Sequence, residues 1–473
     1  MTHPINRADT TRAHWMGVLE NTLDERAEPF SDKYWSEKDA WSRDQTRAVQ
    51  DEKIAAVAPF LYENSGFYRR RFDRLGVAPS DLTSVESLIA NWPVVTKEEM
   101  MEDVVAHPPY GTYTACGDAE WKDRGWMLFS SSGSTGVPRV FRYTHFDRRF
   151  WEQANARALH SGGIRKGDSA IPMVGFGPHV FAWGVQYTME AMNLPVIPGG
   201  GLDGKARAGM IDRFKPTTLV CTPSYALYLA RTMQDLGLDP ADSSIKWLLM
   251  GGEPFSGVEG TMDRIQNLWG ATAVEFYGCT EASPHCGGYS CPEYQTGDEN
   301  FVHLMEDIQV WETVDPLTFA PVAERERGLT VCTNLTSESS PQLRFLVGDY
   351  TRLSTEPCAC GRNHVKALGC MTGRADDLIN LRGIKFFPVQ VEEAIRAVEG
   401  TGDEFQIRLT TNDKGLDTMT VVVEHPQPKI AESVANEVRS RCEIRCDIKV
   451  VAPDTLPKTT MKAKRVLDER KQA

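Results

Sequence analysis

The sequence predicts an α/β protein built as a large amino-terminal domain, with parallel-type sheets and a small β region, followed by a small carboxy-terminal α/β domain. Three observations predict it. The 473 residues exceed what one hydrophobic core usually serves. From about Ser169, short β-prone runs alternate with helical stretches, the rhythm of a largely parallel sheet. The last hundred residues carry a helix and strand pattern of their own.

Taken in chain order, the first hundred residues are mostly helical, with Ile54, Val57, Ala58 and Leu61 on one helical face. SAIPMVGF, LPVIPGG, TTLVCTPS, IKWLLMGGE and AVEFYGCTE then supply strands. After about residue 300 helices become scarce, and DIQVWETVD, GLTVCTNL and FLVGDYTRL form the smaller β region. A boundary near Gly373–Asp377 divides domains 1–373 and 374–473. Beyond it, Pro388 suits a first helical turn, Val391, Ala394, Ile395 and Val398 mark one face, and Gly400 suits the cap. FQIRL and TMTVVVEH are strands, Ile430, Val434 and Val438 mark a second helix, and Ile444, Cys446, Ile448 and Val450 alternate as a final strand.

Composition excludes several classes. Hydrophobic residues are 41% and charged residues 25%, as in ordinary globular proteins. A net charge of −13 argues against nucleic-acid binding through bulk electrostatics. No run reaches the ~18 apolar residues of a membrane span. The amino terminus lacks a signal-peptide core, and eleven unevenly spread cysteines suit a reducing cytoplasm.

The strongest local signal runs from Ser130 through Ser131, Ser132, Gly133, Ser134, Thr135 and Gly136. Its glycines permit close backbone approach and its hydroxyls offer donors, so it can wrap phosphates; the alternative is a flexible linker. Gly199 to Lys205 has the spacing of the common phosphate loop. Ala206 stands where that loop needs a metal-binding hydroxyl, which makes the segment a turn.

SSSGSTGVPRVFRYT resembles the phosphate loop of the adenylate-forming superfamily, most closely its phenylacetate–coenzyme A ligase branch. Further segments follow in the same order: Gly251-Gly252-Glu253-Pro254, then Phe276-Tyr277-Gly278-Cys279-Thr280-Glu281, Arg344 to Asp349, Gly373 to Asp377, Leu381-Arg382-Gly383, and Pro457 to Arg465. The amino-terminal YW, FYRRRFDRLGV and TKEE segments also resemble that branch. Each is weak alone; their order is the signal.

The resemblance implies acid activation by ATP as an acyl-adenylate and transfer of the acyl group to coenzyme A, with an aryl or arylacetic acid favoured. Such chemistry spreads negative charge over phosphate oxygens and calls for cations and donors aimed there. By resemblance, Glu281 holds Mg²⁺, Thr280 contacts the α-phosphate, Tyr277 stacks on adenine and Asp349 accepts both ribose hydroxyls. Arg374 helps bind the nucleotide, beside Gly252, Glu253, Pro254 and Gly278. Lys462 reaches the α-phosphate and the acid's carboxylate as a point charge. The small domain is expected to be mobile, swinging about Asp376, with Gly383 on the coenzyme A side. A homodimer is the family's suggestion.

Two positions depart from the pattern. Val137 stands where the phosphate loop usually carries Lys, with Arg139 or Arg142 as stand-ins, and Met461 precedes Lys462 where Gly is frequent. Cys358-Ala-Cys360-Gly361 resembles an element of the branch that binds zinc in some members. Cys291 and His303 would complete a structural Zn²⁺ site; a compact rival set is Cys358, Cys360, His364 and Cys370. Family position puts the acid pocket at Phe176, His179, Phe181, Trp183, Tyr225 and the Gly251-Gly252 turn. The alternatives are the same adenylation with a carrier-protein thiol or amine as acceptor, and a nucleotide-binding regulator without turnover.

Overall fold

The computed structural model describes residues 7–131, 138–258, 260–282, 286–295, 299–382, 384–412, 416–457 and 465–470, the side chain of Asp376 excepted. Five helices, Arg7–Thr22, Arg43–Asn64, Gly66–Leu75, Val85–Asn91 and Lys97–Ala106, dominate the first hundred residues. Ser42, Ser65, Ser84 and Thr96 cap four of them by accepting backbone N–H bonds that the first turn leaves open. Ile54, Val57, Ala58 and Leu61 are buried, as their spacing predicts. Trp15 of the first helix is also fully buried, and its Nε1 donates to the Ser337 carbonyl at 2.9 Å.

A hairpin follows, β1 (Gly125–Ser131) against β2 (Arg139–Thr144). The main sheet uses β3 (Ala170–Pro172), β4 (Thr218–Cys221), β5 (Trp247–Met250), β6 (Thr272–Gly278), β7 (Cys286–Tyr289) and β8 (Phe301–Leu304). It continues with β9 (Gln309–Val314), β10 (Arg327–Asn334), β11 (Gln342–Ser354) and β12 (Lys366–Leu368). Their order among the described residues is β3-β4-β5-β6-β7-β8-β12-β11-β10-β9. The first four run parallel, joined by helical crossovers; from β6 onward neighbours pair antiparallel. The β region is therefore continuous with the parallel strands, because β6 offers one edge to each kind of partner.

The last unit has its own core and its own sheet, ordered β17 (Asp447–Val451), β16 (Asp417–Glu424), β15 (Phe405–Thr411) and β18 (Val466–Asp468). A short hairpin, β13 (Ile379–Leu381) with β14 (Ile384–Phe386), precedes it. Helix Pro388–Arg396 opens on Pro388 and buries Val391, Ala394 and Ile395; helix Ala431–Cys442 buries Val434 and Val438.

Three local expectations change. LPVIPGG makes one bridge, Ala170 with Val196, since Pro195 and Pro198 lack the N–H a ladder needs. Gly400 does not cap the helix, which ends at Ala397; at φ +82° it turns the chain against His425, whose Nε2 would lie 2.9 Å from an added Cβ. The expected final strand over Ile444–Val450 spans only Asp447–Val451 and is not the last, since Val466–Asp468 follows, too short to stand out in the sequence.

One buried node ties the amino-terminal segment to the sheet. Arg157, on helix His145–Ser161, donates through Nε to Asp39 at 2.8 Å and through Nη1 to Asp307 at 2.9 Å. Its Nη2 reaches His364 Nε2 at 3.0 Å. Burial, then the Arg157 charge, lowers the His364 pKa to about 3, so the ring is neutral and accepts that bond. No helix among the described residues is long and apolar enough to cross a membrane.

Candidate active site

A cleft of about 480 Å³ opens where the carboxy-terminal unit meets the main sheet. Gly252, Glu253, Pro254, Tyr277, Gly278, Asp349 and Arg374, seven residues the sequence assigned to nucleotide binding, all line it. They converge because the turns after β5 and β6 leave the carboxyl ends of parallel strands, the usual location of sites in such sheets. Asp349 reaches the same place from β11, paired by its backbone with Arg374.

The polar groups in the cleft are firmly held. The Tyr277 hydroxyl donates to Asp349 Oδ2 at 2.6 Å. Burial, then the Asp349 charge, raises the Tyr277 pKa well above that of a free phenol, so it remains a donor. Glu253 accepts from the Ser224 backbone N–H at 3.1 Å and from its hydroxyl at 2.9 Å. Arg344, by contrast, points away from the cleft. It forks onto Glu312 at 2.9 and 3.0 Å and donates to the Trp92 carbonyl at 2.7 Å, a structural brace.

The Thr280–Glu281 turn beyond β6 is fixed from several sides. The Tyr143 hydroxyl donates to the Thr280 carbonyl at 2.7 Å and Gln309 Nε2 to the Ala282 carbonyl at 2.8 Å. Asn334 Nδ2 donates to the Glu281 carbonyl at 3.3 Å, and Arg139 Nη2 to the Glu281 carboxylate at 2.9 Å. Ser131 ends β1, with its hydroxyl buried and unpartnered among the described residues. Ser132, Gly133, Ser134, Thr135, Gly136, Gly383 and Lys462 lie outside the described residues. Asp376 sits in a 3₁₀ turn, Ala375–Asp377, at the junction with the last unit.

The expected acid-pocket residues separate into two groups. Phe181 packs on Phe276 with ring centres 5.6 Å apart, and a Cβ on Gly251 would fall 3.7 Å from Phe181 and 2.4 Å from the Phe276 carbonyl. Phe176 meets Trp183 edge-on at 4.9 Å. His179 is exposed at the start of helix Val180–Ala191. Tyr225 is not brought to this group: it is buried in the core beside Tyr228, with the Arg207 guanidinium 5.1 Å from its ring.

The last unit contributes cleft residues that sequence reasoning missed, among them Phe387, Glu392, Arg396, Phe405 and Arg465. Phe387 is seated against Tyr350 at 5.1 Å, with the Arg327 guanidinium 5.3 Å from its ring. Only Arg465 carried a signal, its place in the basic run around Lys462. An Arg264–Asp403 ion pair also joins the two units.

Cys291, His303, Cys358 and Cys360 come together, with all four ligand atoms within 4.8 Å of one another. The Cys291–Cys358 sulfurs are 3.9 Å apart, and Cys360 Sγ is 3.3 Å from His303 Nε2. A tetrahedral ion with ~2.3 Å bonds to sulfur sets edges of ~3.8 Å, close to the Cys291–Cys358 separation, so the donor set suits zinc. His303 Nδ1 lies 3.1 Å from the His364 carbonyl, which leaves Nε2 free as the ligand atom. The sequence distance between Cys291 and His303 is no obstacle, since β7 and β8 fold back with Tyr289 opposite His303. The rival set fails: His364 is bonded to Arg157, and Cys370 lies beside Ser256 at 2.9 Å.

Comparison with known proteins gives a consistent result. Residues 82–326 match the family model described as AMP-binding enzyme, and residues 383–470 match AMP-binding enzyme C-terminal domain. Phenylacetate-coenzyme A ligase of Aromatoleum evansii is 30% identical over 441 residues, covering 91% of this chain and 96% of that one. The Thermus thermophilus protein of that name is 29% identical over 460 residues, covering 93% and 100%. Among solved structures, 2-hydroxyisobutyryl-CoA ligase in the postadenylation state with 2-HIB-AMP superimposes with TM-score 0.86, at 27% identity, over 95% of this chain and 96% of that one. In its thioesterification state with CoA the TM-score is 0.71, at 28% identity, over 94% and 95%.

Proposed function

The chain belongs to the AMP-binding enzyme family, in its phenylacetate–coenzyme A ligase-like branch and, as an AMP-forming acyl-CoA ligase, it makes a coenzyme A thioester through an acyl-adenylate; we propose that its acid is an aryl or arylacetic acid. The observation that carries the site assignment is the convergence of Asp349, Tyr277, the Gly252–Pro254 turn and Arg374 on one cleft. Phe276 lines the cleft with Phe181 packed on it at 5.6 Å, an apolar wall that favours a flat acid.

In this reading an acid carboxylate oxygen attacks the α-phosphorus of ATP and the bond to pyrophosphate breaks. Coenzyme A sulfur then attacks the acyl carbon, losing its proton, and AMP leaves. Asp349 takes the ribose hydroxyls, Tyr277 lies against adenine, and Thr280 meets the α-phosphate. Glu281 would hold Mg²⁺, whose chemistry is to neutralise the phosphate oxygens. Lys462 bridges phosphate and carboxylate. Residues 1–373 and 374–473 act as two domains, with Asp376 the hinge between the two half-reactions and Gly383 on the coenzyme A side. The higher TM-score with the postadenylation state supports that arrangement of these domains here.

The test is acid-dependent ATP–pyrophosphate exchange over benzoic, phenylacetic, cinnamic, heteroaryl, aliphatic and 2-hydroxy acids, in wild type and Lys462→Ala. Exchange confined to aryl acids and lost in the variant is expected. Exchange with 2-hydroxy or aliphatic acids alone would overturn the substrate class.

Cys291, His303, Cys358 and Cys360 would hold a structural Zn²⁺, cross-linking the turns that follow β7 and precede β12. Elemental analysis of purified protein should give one zinc per chain. Cys358→Ser should lower that to well under one and reduce thermal stability; full zinc retention in the variant would remove the assignment.

A further inference from the structure

We infer that the loop carrying Cys358 and Cys360 is also the dock for residues 33–43, and that Arg362 is the positioning residue through which metal occupancy holds that segment in place. The inference rests on the zinc reading above. Residues 358–363 lie between β11 and β12, outside any helix or strand. A single turn bond, from the Gly361 N–H to the Cys358 carbonyl at 2.8 Å, folds the loop locally. Its two cysteines face Cys291 and His303, so a metal held by the four would fix the loop where a strand ladder does not.

Four consecutive loop residues meet the amino-terminal segment. The Tyr34 hydroxyl donates to the Cys360 carbonyl at 3.3 Å. Gly361, at φ +81°, passes so close that an added Cβ would fall 2.5 Å from the same hydroxyl. Asn363 bonds in both directions: its Nδ2 donates to the Trp41 carbonyl at 3.0 Å, and its own carbonyl accepts from Arg43 Nη1 at 3.0 Å.

Arg362 joins the two sides. It is 1% exposed, and its backbone N–H donates to Cys360 Sγ at 3.5 Å, an outer contact of the kind that orients a ligand sulfur. Its Nη2 donates to the Lys33 carbonyl at 3.2 Å. The guanidinium lies 5.1 Å from the Tyr34 ring and 5.7 Å from that of Tyr289, the residue opposite His303. A planar cation between two rings has few other ways to pair, so a shift of the loop carries to Lys33 and Tyr34. The middle of the segment has anchors of its own. Trp35 is buried and its Nε1 donates to Gln153 at 2.9 Å, and Asp39 is held by Arg157. Metal loss should therefore loosen residues 31–34 before the centre of the segment.

The experiment follows amide hydrogen exchange in the full chain. The samples are zinc-loaded and chelator-stripped wild type, and zinc-loaded Arg362→Gln and Arg362→Lys, with zinc counted by elemental analysis. Stripping should speed exchange at least ~10-fold in residues 31–34 and 356–364 together, with strand β16 unchanged as the control. Arg362→Gln should speed residues 31–34 by a similar factor while zinc stays near one per chain. Arg362→Lys, which keeps the charge but loses the flat fork, should do the same. Stripping that loosens 356–364 and leaves 31–34 as in the loaded protein overturns the inference. So does unchanged exchange at 31–34 in zinc-loaded Arg362→Gln. If that variant loses its zinc, or if stripping also opens β16, Arg362→Lys with zinc bound decides by the same measure. Wild type that neither contains zinc nor takes it up sinks the zinc reading, and the inference with it.

Discussion

Arg157→Met is expected to lower folding stability by roughly 3–5 kcal/mol, because it strips the counter-charge from two buried acids. Asp39 and Asp307 face the same guanidinium at 2.8 and 2.9 Å, and neither reaches solvent. Burial alone pushes the Asp307 carboxyl up; Arg157, with help from Lys38 and Lys53, outweighs it and leaves the pKa well below the usual carboxylate range. A depressed folded-state pKa contributes stability above the unfolded value of about 3.9, and that stability fades as pH falls through the folded value. In the variant the sign reverses, since burial without the guanidinium favours the protonated acid. Urea denaturation should therefore show the largest gap between wild type and variant near neutral pH, closing below about pH 4. A gap independent of pH would mean that lost packing, not charge, is responsible. The triple variant Arg157→Met with Asp39→Asn and Asp307→Asn should recover much of the loss, as whole buried ion clusters are often replaceable where half of one is not.

Asp349→Ala should cut kcat/KM for ATP on the order of 10²–10⁴-fold, the cost of two charge-assisted bonds to ribose hydroxyls at about 1.5–3 kcal/mol each. It also leaves the buried Tyr277 hydroxyl without its 2.6 Å acceptor. The discriminating comparison uses 2′,3′-dideoxy-ATP. Wild type should lose most of its advantage with the analogue, whereas the variant should treat the two nucleotides alike. A variant that still prefers the ribose hydroxyls would place their acceptor elsewhere.

The lining of the candidate cleft was legible in the sequence because its residues sit in short segments with fixed internal spacing, on or just after strands. Gly252, Glu253 and Pro254 follow β5, Tyr277 and Gly278 close β6, and Asp349 lies on β11, so strand order alone brings them together. What the sequence could not show is pairing across long separations. Nothing in residues 139 or 281 alone says that they share a buried ion pair, and nothing in Arg344 says that its fork is spent on Glu312. The candidate zinc ligands, Cys291, His303, Cys358 and Cys360, lie between these cases. Their types were readable, but the choice between His303 and His364 depended on the register of β7 against β8. Tyr225 shows the opposite failure. An aromatic residue on a helix beside the site has two faces to choose from, and this one turns into the core.

Trp15 gives the architecture a practical edge. The family match begins at residue 82, which invites trimming of everything before it. Yet the indole of the first helix is buried to the last atom and bonded to the Ser337 carbonyl. That loop in turn grips the helix that follows the β1–β2 hairpin, since the Ser337 hydroxyl donates to Asp147 at 3.0 Å. A fragment cut at residue 82 would uncover an aromatic-sized hole in the main core and strip the support from the Ser337 loop. The family model marks one shared segment; the unit that must be expressed whole includes the first helix, as a relative matched over 93% of the chain agrees.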